Sequence, residues 1–273
     1  MLHCVTTLEL HGPRSPLAVH MRGPAEGPVV LMAHSILSSS RMWEAQAHLL
    51  ADEGMRVVCM DTRGHGLSKP AAPPYDMDEL VADTVAVMDA LRIRRAHYVG
   101  LSLGGMSGFG LGIAHGERLL SLLLCDARAD APPEVASPWD ARIEAARAGG
   151  CGALAAATVE RWFGRDFLDA NPQTAEAMRE MIAGTSVDGF EGCARAIQGL
   201  DYIDDVSRIR VPTTLLVGAN DGALPEAMRQ LRERIPDSRL ELVAGAGHLP
   251  NIEQPERFEA ALLGHFARVA GRV

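Results

Sequence analysis

Apolar and polar positions follow two rhythms along this chain. Short apolar runs at Val29 to Ala33, Arg56 to Met60, Ala96 to Leu101, Leu119 to Cys125 and Thr213 to Gly218 have the length of buried strands. Arg239 to Val243 alternates like a strand. Val5 to Leu10 and Leu17 to Arg22 read as a hairpin joined through Gly12-Pro13. Between these runs the spacing is helical. Arg41 to Glu53 places Met42, Ala45, Leu49 and Leu50 on one face. Asp76-x-x-Glu79 is a capping box opening a helix that carries Leu80, Val81, Thr84, Val87, Met88 and Leu91. Pro225 and Pro255 each open a further helix. Strand–helix alternation predicts an α/β protein: an eight-stranded, mostly parallel sheet with helices on both faces.

One stretch breaks the alternation. From Asp130 to about Val206 the pattern is helical, opening with Pro132-Pro133 and closing where Val211-Pro212 enters the next strand. It reads as a helical cap of residues 130–206 inserted into a core formed by 1–129 and 207–273. At 273 residues the chain is long enough for one domain with such an insertion.

Composition narrows the partners. The net charge of −9 argues against nucleic acid and anionic membranes. No run of about 18 apolar residues appears, so nothing is expected to span a bilayer. Met1-Leu2-His3-Cys4 lacks a basic stretch followed by an apolar one, so no signal peptide is expected. The five cysteines (Cys4, Cys59, Cys125, Cys151, Cys193) are odd in number, widely spread and without zinc-ligand spacing. A cytoplasmic location is the simplest expectation. Self-association into a homo-oligomer is left open.

The chemistry concentrates in three places. Gly100-Leu101-Ser102-Leu103-Gly104 follows a strand and opens a small-residue helix, the setting of a nucleophile elbow. The turn doubles back so sharply that positions two residues to either side of the serine must be nearly free of side chain. A serine hydroxyl is a poor nucleophile without a base, and the base needs an orienting acid. Asp221 lies just past the strand ending at Gly218, and His248 lies on the glycine-rich loop after Val243. Serine, acid and histidine thus follow strand ends in the order of a Ser-Asp-His triad.

With these motifs the chain resembles an α/β-hydrolase over nearly its whole length, and within that superfamily the 3-oxoadipate enol-lactonases. The supporting stretches are Ser40 to Gln46, Asp61-Thr62-Arg63-Gly64-His65-Gly66-Leu67-Ser68 and the cap segment Glu160-Arg161-Trp162-Phe163. One departure is His34-Ser35-Ile36-Leu37, where these lactonases usually have Asn-Ser-Leu-Gly. The resemblance implies a serine hydrolase cleaving a small lactone or ester through an acyl-enzyme, with catalytic Ser102, Asp221 and His248. It implies an oxyanion hole from the N–H groups of Ile36 and Leu103, substrate contacts from Ser35, Trp139, Arg161 and Trp162, and no metal or cofactor. A carboxylate-bearing substrate needs a cation near the nucleophile. Arg142, Arg147, Arg161 and Arg195 in the cap and Arg128 at its entrance are the candidates, Arg161 first. A general carboxylesterase, a carbon–carbon bond hydrolase, a cofactor-free haloperoxidase or a non-catalytic ligand receptor would keep the same spacing.

Several residues have plainer readings. His34 is read as a loop organiser, His65 as structural within a glycine turn, and His97 as packing. Gly108-Phe109-Gly110-Leu111-Gly112 is spaced like a dinucleotide fingerprint, but Ile113 follows and no strand leads into it, so it is read as close helix–sheet packing. Asp126, also after a strand, stands as the alternative acid to Asp221.

Overall fold

The computed structural model describes residues 5–271; the expectations for Met1 to Cys4 lie outside the described residues. Eight strands form one sheet: β1 Thr6–His11, β2 Pro16–Arg22, β3 Val29–Ala33, β4 Arg56–Met60, β5 Ala96–Leu101, β6 Leu119–Cys125, β7 Thr213–Gly218 and β8 Ser238–Val243. Their spatial order is β1-β2-β4-β3-β5-β6-β7-β8. β2 runs antiparallel to β1 and β4, and every other pairing is parallel. The predicted strands are all present, five of them with the predicted ends.

The helices are α1 Glu44–Asp52, α2 Met77–Ala90, α3 Leu103–Ala114, α4 Pro133–Ala136, α5 Pro138–Gly149, α6 Ala155–Phe163, α7 Arg165–Ala170, α8 Pro172–Ala183, α9 Val187–Gln198, α10 Leu224–Arg234, α11 Pro250–Glu253 and α12 Pro255–Val269. Asp76 caps α2 as its sequence predicts: its carboxylate accepts the Glu79 N–H, and the Glu79 side chain returns to the Asp76 N–H. The helix expected from Arg41 begins instead with a tight 3₁₀ turn, Ser40–Trp43, because Ser39 caps the chain there and accepts the Arg41 N–H.

Every residue of β5 and of β7 is buried. Since successive side chains point to opposite faces, both faces of the central sheet are covered. Aliphatic residues fill this core: Val99, Leu101, Leu122, Leu123, Leu124 and Leu216 have no exposure. The glycines of α3 allow that helix to lie close against the sheet. A Cβ on Gly108 would come within 2.4 Å of Leu124. The glycine run is therefore a packing surface, as its sequence suggests.

α4 to α9 all lie between β6 and β7. Both ends of that segment are stitched together by an antiparallel bridge between Asp130 and Asp201, where Ala131 N–H meets Leu200 O and Tyr202 N–H meets Ala129 O. Among the described residues no helix is long and apolar enough to cross a membrane.

Beneath α2 sits an ion pair with almost no solvent contact. Arg63, fully buried, donates from Nε to Asp83 Oδ2 at 2.6 Å and from Nη2 to Asp83 Oδ1 at 2.7 Å. Its guanidinium also lies 4.9 Å from the centre of the Tyr75 ring. Removing one partner strands the other charge in an apolar interior. Arg63→Ala is expected to cost about 3–5 kcal/mol of unfolding free energy, read by urea denaturation. The double variant Arg63→Met/Asp83→Leu should regain most of it. A single variant as stable as wild type would mean that the pair does not hold α2 down.

Candidate active site

The serine is placed by strain. β5 ends at Leu101 and α3 begins at Leu103, so Ser102 alone absorbs the reversal, with φ 55° and ψ −113°. A non-glycine residue in such a conformation persists only when its surroundings over-determine it. They do so here. Ser102 N–H still bonds to Cys125 O at 2.8 Å as if the strand continued, while Ser102 O accepts the Met106 N–H at 2.8 Å as a helix would. The neighbouring backbones come so close that glycine is required. A Cβ at Gly100 would stand 2.2 Å from Gly104 O, and one at Gly104 would stand 2.4 Å from Ala33 O.

The loops after β7 and β8 bring the other two residues to this turn. His248 Nε2 lies 3.0 Å from Ser102 Oγ, and His248 Nδ1 lies 2.6 Å from Asp221 Oδ2. All three are buried, at 4% (Ser102), 3% (His248) and 7% (Asp221) exposure. With Asp221 accepting from Nδ1–H, the free lone pair of the neutral imidazole faces the serine hydroxyl. Burial pushes the His248 pKa below its ordinary value. Asp221 pulls it up, and the charges of Arg161 and Arg142 push it down, so the imidazole stays below 6.5. Burial opposes the charge on Asp221, but His248, by charge and hydrogen bond, together with Arg161, holds its carboxyl below the ordinary carboxylate range.

The histidine loop is tied to the inserted segment through the backbone. His248 N–H donates to Trp162 O at the end of α6, at 2.8 Å. Gly247 N–H donates to Glu253 Oε2 at 2.5 Å. Nothing in the sequence around Glu253 marks it for this role. Trp162, expected as an apolar wall, is 1% exposed; it meets the histidine loop through this carbonyl and also lines the cleft beside that loop.

The loop after β3 is organised by His34. Its Nε2 accepts the Thr62 N–H at 2.9 Å and its Nδ1–H donates to Ser35 O at 2.8 Å, so both ring nitrogens are engaged with backbone. His34 O accepts the Gly104 N–H at 3.1 Å, which pins this loop against the first turn of α3. Asp61 holds the far side through the N–H groups of Ser40 and Leu67. Among the described residues, the N–H groups of Ile36 and Leu103 have no acceptor. Ser35, fully buried, turns its hydroxyl to Ile36 O. Leu37 adopts φ 64°, a left-handed conformation. For a residue with a Cβ that costs roughly 1–2 kcal/mol.

The five arginines sort themselves by partner. Arg128 pairs with Asp130, Arg147 with Glu191 and Glu144, and Arg195 with Asp140. Arg142 and Arg161 have no carboxylate partner among the described residues. Arg142 stacks over Trp139 at 4.3 Å and near Phe190 at 5.8 Å, with Nη2 3.5 Å from Thr158 Oγ1. Burial, then the charge of Arg161, brings its pKa down to about 10. Arg161 is surrounded by protein yet open to solvent, as a side chain lining a concavity is. Burial lowers its pKa, opposed by Asp221 and Asp126. Arg161, Phe163, Asn220 and Gly247 line a cleft of about 650 Å³ where α6 and α7 meet the loops after β7 and β8. Ser102 is not on its wall.

Asp126, the alternative acid, sits beside Asp221 rather than in place of it, because β6 and β7 are neighbours and both residues follow their ends. Asp126, Asp221 and His248 bring their donor atoms within 4.8 Å of one another. Asp221 and His248 are hydrogen-bonded to each other, and His248 is also hydrogen-bonded to Ser102.

A profile of the alpha/beta hydrolase fold matches residues 28–255. The chain is 32% identical over 241 residues to 3-oxoadipate enol-lactonase 2 of Acinetobacter baylyi, covering 88% of this chain and 89% of the relative. It is 30% identical to a putative carbamate hydrolase RutD of a Caulobacter species, covering 88% and 91%. The crystal structure of the enol-lactonase from Burkholderia xenovorans LB400 superposes with a TM-score of 0.90 at 30% identity, covering 96% of this chain and all of that one.

The electrostatics make one test independent of turnover. The imidazole of His248, followed by NMR, should titrate below 6.5. Arg161→Met removes a cation that disfavours the imidazolium, so the midpoint should rise. An unmoved midpoint would mean that the guanidinium charge does not reach the ring.

Proposed function

The chain belongs to the alpha/beta hydrolase fold family, and on that premise we propose that it is a serine hydrolase of small esters or lactones carrying a carboxylate, 3-oxoadipate enol-lactone among them. The observation that carries this reading is the hydrogen-bonded series Ser102, His248, Asp221 at 3.0 and 2.6 Å, seated on a strained strand-to-helix turn. Hydrolase activity accords with the family. The acyl chemistry and the carboxylate are the proposed part.

In this reading Ser102 Oγ attacks the acyl carbonyl while His248 Nε2 accepts its proton. Asp221 stabilises the resulting imidazolium and fixes its tautomer. The tetrahedral oxyanion is received by the N–H groups of Ile36 and Leu103, and each such donor is typically worth roughly 3 kcal/mol of barrier. Collapse breaks the bond to the leaving oxygen, which takes the proton from His248. In a lactone that oxygen remains tethered to the acyl group. Water, deprotonated by His248, then attacks the acyl-enzyme, and release of Ser102 restores the starting state.

Preference for a carboxylate rests on Arg142 and Arg161. Two guanidinium groups, both acting electrostatically on His248 and neither in an ion pair with an acid among the described residues, leave positive charge to be met by substrate, although Arg161 also feels the charge of Asp221. A charge-assisted hydrogen bond to a carboxylate is worth roughly 1.5–3 kcal/mol. Arg142 is held in place by its stack on Trp139, which is half-buried beneath it.

Ser102→Ala and Asp221→Asn should each keep the fold and lower kcat by orders of magnitude, at least ~10³-fold for the serine, because triad members act as a unit. Ser102→Ala with more than a tenth of wild-type turnover of p-nitrophenyl acetate would remove the serine from the mechanism. A carboxylate-bearing lactone should exceed its methyl ester by about tenfold in kcat/KM, the worth of one charged hydrogen bond, and Arg161→Ala or Arg142→Ala should erode that preference. Equal rates on both substrates in wild type would favour a general carboxylesterase.

A further inference from the structure

Asp126 is the one wholly buried acid near the candidate site without an assigned part. It has no solvent exposure and takes φ 46°, a conformation that turns the chain sharply at the end of β6. Its N–H continues the ladder to Leu216 O at 2.9 Å, and its Oδ1 accepts the N–H of Gly218, the last residue of β7, at 2.8 Å. The carboxyl therefore reaches across to the loop that carries Asp221. Its other oxygen, Oδ2, is buried with no donor facing it. The Asp221 carboxyl lies beside it: one carboxylate oxygen of each acid and a ring nitrogen of His248 fall within 4.8 Å of one another.

Two ionised carboxylates cannot share a dry site, so one of them keeps a proton. Asp221 is the one held as an anion, because it accepts from His248 at 2.6 Å and feels the charge of Arg161. Asp126 has a single donor, an uncharged backbone N–H. We infer that Asp126 is a protonated carboxylic acid at neutral pH, and that its O–H donates to the Asp221 carboxylate as a positioning residue for the acid of the triad. The assignment gives Oδ2 a partner as a donor where as an acceptor it has none. Burial, followed by the charge of Asp221, pushes the Asp126 carboxyl well above the carboxylate range, in line with it.

The consequence falls on His248. A neutral O–H donor occupies a lone pair of Asp221, fixes the plane of its carboxylate with Oδ2 toward the imidazole, and draws off part of its negative charge. The imidazolium is then stabilised less than by an unassisted carboxylate, and the base stays free at lower pH. The other charged groups around this cluster are Arg161 from α6, Arg142 from α5 and Glu253 from α11, whose carboxyl holds Gly247. None of them donates to Asp221 from the side that Asp126 occupies.

The inference rests on the proposed triad, and its test is arranged to fail separately from it. Asn at position 126 can still accept from Gly218 and donate to Asp221, but it cannot ionise. Asp126→Asn is expected to hold kcat within about threefold of wild type and leave the acid limb of kcat/KM in place. Asp126→Ala is expected to lower kcat tenfold or more and move that limb to higher pH. The infrared carbonyl band of a protonated carboxylic acid, present in wild type at pH 7, should be missing from Asp126→Asn; this readout needs no turnover and stands even if Asp126→Ala folds poorly. A loss of a hundredfold or more in folded Asp126→Asn, or no difference band at pH 7, would overturn the inference and make Asp126 an ionised acid. Asp221→Asn remaining inactive in the same assay would leave the triad itself untouched.

Discussion

The site depends on how closely three pieces of backbone approach one another at Ser102. The end of β5, the first turn of α3 and the end of β3 meet there with no room for a Cβ at Gly100 or Gly104. That crowding holds Ser102 at φ 55°, a conformation it would not keep by itself. Everything else is fixed relative to this turn. The loop after β3 is pinned to it by the bond from Gly104 N–H to His34 O, and the parallel register carries the ends of β6 and β7 alongside. A parallel sheet puts all its strand ends on one edge, so residues far apart in sequence arrive together without any local device.

Much of this is legible in the sequence because it rests on local chemistry. Glycine at two fixed offsets from a serine, after an apolar strand, signals a turn too tight for side chains. The strands are legible because fully buried strands are continuous apolar runs. The relation between Asp126 and Asp221 is not. In the sequence they are rivals for one role, each following a strand. Only the order of strands makes them neighbours, and only burial makes them share a proton. The tie from His248 N–H to Trp162 O is hidden for a different reason: a backbone carbonyl leaves no trace in residue type. The tryptophan stands out in sequence for its ring, whereas it meets the histidine loop through its main chain.

The arginines show the same limit. The five arginines between Arg128 and Arg195 named above look alike in sequence, since each is a solvated charge until its partners are known. Three of them find acids, namely Asp130, Glu191 and Asp140. What distinguishes Arg142 and Arg161 is that neither forms an ion pair among the described residues, and that depends on how the segment between β6 and β7 folds.

An acidic protein can still favour an anion. The net charge of −9 is spread over the surface, where its influence fades within a Debye length of about 8–10 Å at ordinary ionic strength. His248, Asp221 and Asp126 are buried, so the charges that reach them from close by are screened far less. If Asp126 is neutral, Asp221 is the anion bonded to His248, Glu253 is engaged with Gly247 N–H, and Arg142 and Arg161 both act on the imidazole as cations. On the proposed reading the two guanidinium charges have two effects. They add to burial in holding the His248 pKa down, and they leave a place for one negative charge from outside. A substrate carboxylate that filled this place would offset the guanidinium field on the imidazole and raise its basicity once bound. The base would then be neutral in the free enzyme and better able to hold a proton in the complex, when the serine hydroxyl gives one up. Recognition of the anion and readiness of the base would thus draw on the same two arginines.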